Sequence, residues 1–297
     1  KAKILATETP VAADAHIFIP AQEFPGGAIS KHSVVQVHDR LTADSYRPGK
    51  PRANLAKAGA LVCKHHSQEA ILADAGLCGD GRRLLTLPPG APEPFTLRKL
   101  RRGPLALGWA GRPELRDGND IQRTDWLIET VRRLTRKAKI VLIGDRLEQI
   151  SRELRKAGIG HVCHKTGSLS DIHEAQVYRS LDVLLVTQAD DPAPKGLFRA
   201  LASGVPVVAP SHGWCADLIH SGTNGYLGAD VEALHEGVEQ ILSDPRRWFR
   251  RRAAIRASGR GLSLTDWCDA NIELALELAG KARSGTTLST KKQPVMN

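Results

Sequence analysis

The chain has 297 residues, 41% hydrophobic and 25% charged, with 42 Lys and Arg against 32 Asp and Glu, a formal net charge of +10. That composition suits one large or two modest globular domains with a substantial core, and no run approaches the roughly 18 consecutive apolar residues of a membrane-spanning helix. Its five cysteines, Cys63, Cys78, Cys163, Cys215 and Cys268, are scattered and odd in number, which favours free thiols in a reducing cytoplasm over a disulfide framework.

Lys1 to Ala6 is basic and then apolar, too short a block for a secretory leader, and Lys3 to Ala6 reads as a first strand. Strand-like segments follow at 16–19, 33–37 and 60–63. A helix is predicted over Ser67 to Ala75, with Ser67 as its N-cap and Gly76 as its stop. Arg83 to Leu87 is a further short strand, closed by Pro88-Pro89-Gly90, and the Pro-rich, basic segment Ala91 to Pro104 reads as a linker.

From Leu105 onward strand and helix alternate. Strands are predicted at 105–110, 140–143, 161–163, 183–186 and 206–209, and helices at 125–137, 147–157, 171–180 and 197–202. Such alternation implies βαβ units and a parallel sheet. Helices at 231–242 and 264–278 close the pattern, and residues 281–297 have the composition of a solvated, disordered basic tail. No internal repeat is present, and the first hundred or so residues carry no G-x-G-x-x-G fingerprint.

The densest chemistry lies between Gln188 and Gly225. Pro192 to Gly196 form a loop that leads into a helix from Leu197, and Gly204-Val205-Pro206 ends that helix before the buried strand Val207-Val208-Ala209. A loop that delivers backbone N–H groups into a helix start is an anion site, because dipole and unpaired donors point to one place.

The same residues carry a resemblance. Ala200-Leu201-Ala202-Ser203-Gly204-Val205-Pro206-Val207-Val208 resembles the E-A-M-A-x-G-x-P-V-V segment of retaining glycosyltransferases with two Rossmann-like domains (group 1, GT-B). Gly213 to Asp217 with Gly222-Thr223-Asn224-Gly225 resembles the family's G-G-x-x-E … G-x-N-G pattern. Gly108-Trp109-Ala110-Gly111-Arg112, Val141 to Asp145 and Tyr178 to Val186 resemble its strand ends in the same order. Several matches in order are far more specific than any one of them.

The resemblance implies an α/β GT-B fold of two Rossmann-like domains with parallel sheets, the first reduced. The expected division is a reduced acceptor-side domain over 1–98, a nucleotide-sugar domain with a closing helix over 99–280, and the tail from 281. It implies retaining, metal-independent transfer of a hexosyl group from a nucleotide-diphosphate donor to an acceptor hydroxyl on a glycan or lipid. The nucleotide sugar is then a co-substrate, and no cofactor is expected.

Residue by residue, the resemblance makes Arg112 the arginine on the donor diphosphate. The family's second phosphate cation aligns with Gln122, and Arg123 beside it takes the role. Lys195, Gly196, Leu197 and Arg199 complete the donor-binding set around the helix start. The family's paired glutamates align with Asp191 and Arg199. Aspartate still accepts hydrogen bonds from a sugar, whereas an arginine accepts none and suits a phosphate or a carboxylate. His38, ending the strand Val34 to Val37, resembles the histidine held against the donor sugar, so His38 and Asp191 are the catalytic candidates. Gly26 and Gly27 stand where a glycine-rich sugar loop belongs. Asp217, in the acidic position of G-G-x-x-E, is expected to accept backbone N–H bonds in its loop.

Neither Cys63-Lys64-His65-His66 nor Cys163-His164 shows paired metal-ligand spacing, and Asp190-Asp191 is not a D-x-D motif, so no metal is expected. Basic charge gathers at Arg98 to Arg102, Arg132 to Lys139 and Arg246 to Arg260. Peripheral contact with an anionic membrane, a nucleic-acid backbone and a solvated helix face all fit such runs. Two alternatives follow: a DNA glycosyltransferase for hydroxymethylated bases, favoured by charge and an open first domain, and a non-catalytic nucleotide- or sugar-binding protein, favoured by Arg199. An epimerase or phosphorylase of the same architecture ranks last.

Overall fold

The computed structural model describes residues 16–18, 29–37, 55–77, 83–99, 103–113, 115–116, 119–120, 122–166, 170–188, 191, 193–259 and 262–280. The expected strand at Lys3 to Ala6 and the tail from 281 lie outside these. Two compact units divide the chain: Lys1–Cys63, Gln68–Leu87 and Trp267–Asn297 form the first, Lys64–Ser67 and Pro88–Asp266 the second. None of the described helices is long and apolar enough to cross a membrane.

The first unit is built on a four-stranded parallel sheet of β1 (His16–Phe18), β2 (Ser33–Gln36), β3 (Ala60–Cys63) and β4 (Arg83–Thr86), in that spatial order. Every residue of β2 and β3 is buried, as expected of parallel strands covered on both faces. Alternate side chains sort to opposite faces. Val35, Leu61 and Cys63 pack with Leu72 of α1 (His66–Asp74) and with Leu55 and Leu77. Val34, Ala60 and Val62 pack instead with Leu274, Ala275 and Leu278 of α10 (Leu264–Leu278). Asn271 of that helix accepts a hydrogen bond from Gln36 at the sheet. The closing helix therefore belongs by its packing to the first sheet.

The second unit carries a six-stranded sheet: β5 (Leu105–Ala110), β8 (Ala138–Gly144), β9 (His161–Lys165), β10 (Val183–Leu185), β11 (Val207–Pro210) and β12 (Gly225–Gly228). Its spatial order is β12-β11-β10-β5-β8-β9 with every pair parallel. Counted along this unit the order is 3-2-1-4-5-6, the doubly wound nucleotide-binding arrangement. The crossovers run through α2 (Thr124–Arg132), α3 (Glu148–Lys156), α4 (Asp171–Arg179), α5 (Lys195–Ala202) and α6 (Gly213–Leu218), and α7 (Val231–Ser243), α8 (Pro245–Arg250) and α9 (Arg252–Ser258) follow β12. A two-stranded antiparallel ribbon, β6 (Leu115–Arg116) and β7 (Asn119–Asp120), precedes α2. One contiguous core joins Trp109, Leu142, Tyr178, Leu184, Leu197, Val208 and Trp248.

Local chemistry sets several boundaries. Ser170, Asp230 and Asp244 cap α4, α7 and α8 with their side-chain oxygens, and Pro245 opens α8 at a position that needs no N–H. Gly204, at φ +68°, turns the chain out of α5. The helix expected over 125–137 stops at Arg132.

One region departs from the sequence expectation. Residues 91–99 of the expected linker are built into the second unit: Ala91 bridges Ser263, Phe95 is buried, and Arg98 is only 3% exposed. Arg98 donates to the Leu181 carbonyl at 2.8 Å and pairs with Asp182, whose Oδ2 accepts from the Ala106 amide. The start of that basic run is thus a buried strut. The arginine-rich segment from 246 forms α8 and α9, with Trp248 in the core against Tyr226.

Candidate functional site

Strand order reverses between β5 and β10, and in doubly wound sheets ligands bind outside the carboxyl ends of the strands at that point. Here β5 runs out into Gly111 and Arg112, and β10 runs out into Val186, Thr187 and Gln188. The two ends are tied by buried polar groups. Trp109 Nε1 donates to Thr187 Oγ1 at 2.8 Å, and Thr187 Oγ1 donates to the Gln122 carbonyl. Gln188 Nε2 donates to the Ala110 carbonyl at 2.9 Å and to Gln122 Oε1 at 2.6 Å. Gln188 Oε1 is buried and has no hydrogen-bond partner among the described residues. The chain therefore enters and leaves the crevice on a fixed framework.

Backbone packing tightens the same edge. A Cβ on Gly144 would fall 1.7 Å from the Gly111 carbonyl oxygen, so β8 can end there only as glycine. The start of α5 lies directly over the switch point: a Cβ on Gly196 would meet Ala110 Cβ at 3.0 Å, Leu184 Cδ2 at 3.4 Å and Tyr178 Oη at 3.5 Å. The helix thus places its N-terminus and the positive end of its dipole at the ends of β5 and β10. Asp191 Oδ1 accepts from the Ala193 amide at 3.0 Å and shapes the loop into that helix.

The expected donor-binding residues fall into two groups. Arg112, Lys195, Gly196 and Leu197 lie on the crevice rim or the first turn of α5, with Arg112 and Lys195 exposed and Gly196 and Leu197 buried. Arg123 and Arg199 are engaged by neighbouring carboxylates. Arg123 has positive φ (47°) and grips Asp125 through Nε at 3.0 Å and Nη2 at 2.9 Å. Its guanidinium stacks 4.1 Å from the Trp126 ring, and its hydrogen bond holds the Asp125 carboxyl below the usual range. Gln122, aligned with the family lysine, is buried in the framework above.

Arg199 points to α4, where its guanidinium pairs with Glu174 and lies 5.6 Å from the Phe95 ring centroid. Burial pushes the Glu174 carboxyl above its ordinary value, and Arg199 opposes that shift. The buried Tyr178 hydroxyl is likewise pushed up by desolvation.

His38, Gly26 and Gly27 lie outside the described residues. Asp217 meets a side chain: His65 Nε2 sits 3.0 Å from its Oδ2, while His65 Nδ1 accepts from the Ser67 amide at 3.1 Å. That acceptance sets the tautomer with hydrogen on Nε2, so the ring donates to Asp217. Trp214 lies edge-on to His65 with its indole N–H on the Lys64 carbonyl. Among the described residues no three metal-ligating side chains gather around one point. Thr187 and Gln188 were not singled out from the sequence, although a polar pair closing an apolar strand is a usable signal.

These features define a class: a GT-B α/β fold with two parallel sheets, whose residues 106–244 match the family of glycosyl transferases group 1. Two curated relatives narrow the comparison. The chain is 29% identical over 222 residues to a GDP-mannose-dependent alpha-(1-6)-phosphatidylinositol monomannoside mannosyltransferase of Mycolicibacterium smegmatis, covering 65% of this chain and 55% of that one. It is 38% identical over 85 residues to a GDP-mannose-dependent alpha-mannosyltransferase of Corynebacterium glutamicum, covering 27% and 20%. The chain thus spans about half the length of the first relative and a fifth of the second. Among solved structures, the Anabaena protein HepE in complex with UDP superposes with a TM-score of 0.63 at 15% identity, over 84% of this chain and 72% of that one.

Proposed function

We propose that the chain transfers a sugar from a nucleotide-diphosphate donor to an acceptor hydroxyl, with retention and without a divalent ion. One observation carries this: the first turn of α5 is packed onto the ends of β5 and β10 at the switch point, beside Arg112 and Lys195. Those amides and cations stabilise charge as it develops on the leaving diphosphate, where preorganised donors help most. The acceptor hydroxyl attacks from the face that the leaving group vacates, and the leaving phosphate takes its proton. No dedicated base is then needed, and Asp191 supplies a carboxylate to the donor sugar. The names of both curated relatives make GDP-mannose the first donor to test, and the first relative's name favours a lipid-linked acceptor.

A second reading follows from Arg199, whose partner is Glu174: a protein that binds the nucleotide sugar without transferring it. Thermal-shift titration with UDP, GDP, ADP, CMP and dTDP tests the donor site, and radiolabelled sugar transfer from GDP-mannose separates the two readings. A rise in Tm with GDP is expected. Arg112→Ala should weaken that binding about ten- to a hundredfold, the worth of a hydrogen bond to a charged group. No response to any nucleotide refutes both readings, and binding without transfer or donor hydrolysis leaves the second.

A further inference from the structure

Away from the crevice, at the Ala202 end of α5, a groove of about 350 Å³ is lined by Phe95, Leu97, Ala253, Ala257 and Leu262, with Arg256 and Glu93 at its polar side. Its size falls in the range of sites that take small molecules or chains, about 300–1,000 Å³. Beside it, α8, α9 and the residue joining them carry Arg246, Arg247, Arg250, Arg251, Arg252 and Arg256. Among the described residues none of the six pairs with a carboxylate: Arg247 and Arg251 donate to the Gly222 carbonyl and Arg252 to the Phe249 carbonyl. Those acceptors are neutral, so the charge is not cancelled. Asp244 spends its carboxylate on the Arg247 amide, and Glu93 accepts from Thr265.

We propose that α8, α9 and this groove dock on an anionic phospholipid bilayer, the arginines on lipid phosphates and the groove around an acyl chain. Charge complementarity selects an anionic partner, and the apolar groove selects an amphiphile. Single-stranded nucleic acid is disfavoured because single strands bind through free aromatic stacking platforms as well as cations. Trp248 is 1% exposed, and the Phe249 ring has guanidinium carbons of Arg98 and Arg252 at 5.7 and 4.2 Å. Neither ring is free to stack on a base.

The test is co-sedimentation of the full chain, without nucleotide, with vesicles of mixed phosphatidylglycerol and phosphatidylcholine or of phosphatidylcholine alone. Binding to the anionic vesicles only, falling as salt rises, is expected. The triple variant Arg246→Gln, Arg250→Gln, Arg256→Gln should lose about fivefold per arginine, roughly 150-fold together, and the matching Lys triple should keep most of it. Ala257→Glu, which places a carboxylate in the groove, should weaken binding with Tm unchanged. Binding indifferent to lipid charge, to the Gln triple or to Ala257→Glu overturns the proposal, as does equal affinity for a DNA duplex. The GDP thermal shift of the Gln triple reports the donor site separately, so the two proposals fail independently.

Discussion

Replacing Arg199 by methionine keeps the packing of its stem and removes only the cation that Glu174 faces. Glu174 is 4% exposed at its side chain and Arg199 20%, so the substitution strands a carboxylate in a desolvated site. Breaking such a pair from one side costs about 3–5 kcal/mol, and the partly exposed arginine places the expected loss near 3 kcal/mol. For a unit of this size that lowers Tm by roughly 6–12 °C. The pH dependence distinguishes the cause. Burial already holds the Glu174 carboxyl above its ordinary value, and loss of Arg199 raises it further. A carboxyl raised in the folded state contributes stability below its unfolded pKa and loses it as pH rises through the folded value. The deficit of Arg199→Met should therefore be full at pH 8 and shrink toward pH 5, as Glu174 takes up its proton. Thermal melts across that range, with the double variant Arg199→Met, Glu174→Gln, provide the measurement. An equal drop at pH 5 and pH 8, or a double variant no more stable than the single, refutes the reasoning. Arg199→Glu, which restores the family's carboxylate, should be less stable still, because it sets two carboxylates face to face.

Trp248→Ala should cost about 3–5 kcal/mol in urea unfolding, the penalty for emptying a large core site, because its ring packs on Tyr226; a change under about 1 kcal/mol would place it at the surface. Gly144→Ala should prevent native folding of the second unit, since its Cβ would lie 1.7 Å from the Gly111 oxygen; a soluble variant with an unchanged melt would contradict that geometry.

The alternation from Leu105 to Pro210 was legible because buried parallel strands read as continuous apolar runs. β12 was not: Gly225-Tyr226-Leu227-Gly228 is four residues long with glycine at both ends, a pattern that reads as a turn. The Asp244-Pro245 cap announces α8 just ahead of the arginines between 246 and 256. The candidate site divides the same way. The rim position of Arg112 and the loop that leads into α5 follow from local order. The Glu174–Arg199 pair and the Arg98–Asp182 strut join residues far apart in the chain, and no local pattern encodes them.

The closing helix has a consequence for synthesis. One face of the first sheet, Val34, Ala60 and Val62, is covered by Leu274, Ala275 and Leu278, made more than two hundred residues later. At about 5–20 residues per second a ribosome needs roughly 10–40 s to cover that interval. Throughout it the uninterrupted stretch Pro88–Asp266 can assemble its own sheet, while the earlier-made strands wait with an apolar face unfinished. Of the two units, the one whose strands are made earlier is the later to complete its core. A chaperone that shields β2 and β3 during that wait should raise the yield of folded chain, and a stop codon placed before Leu274 should lower it.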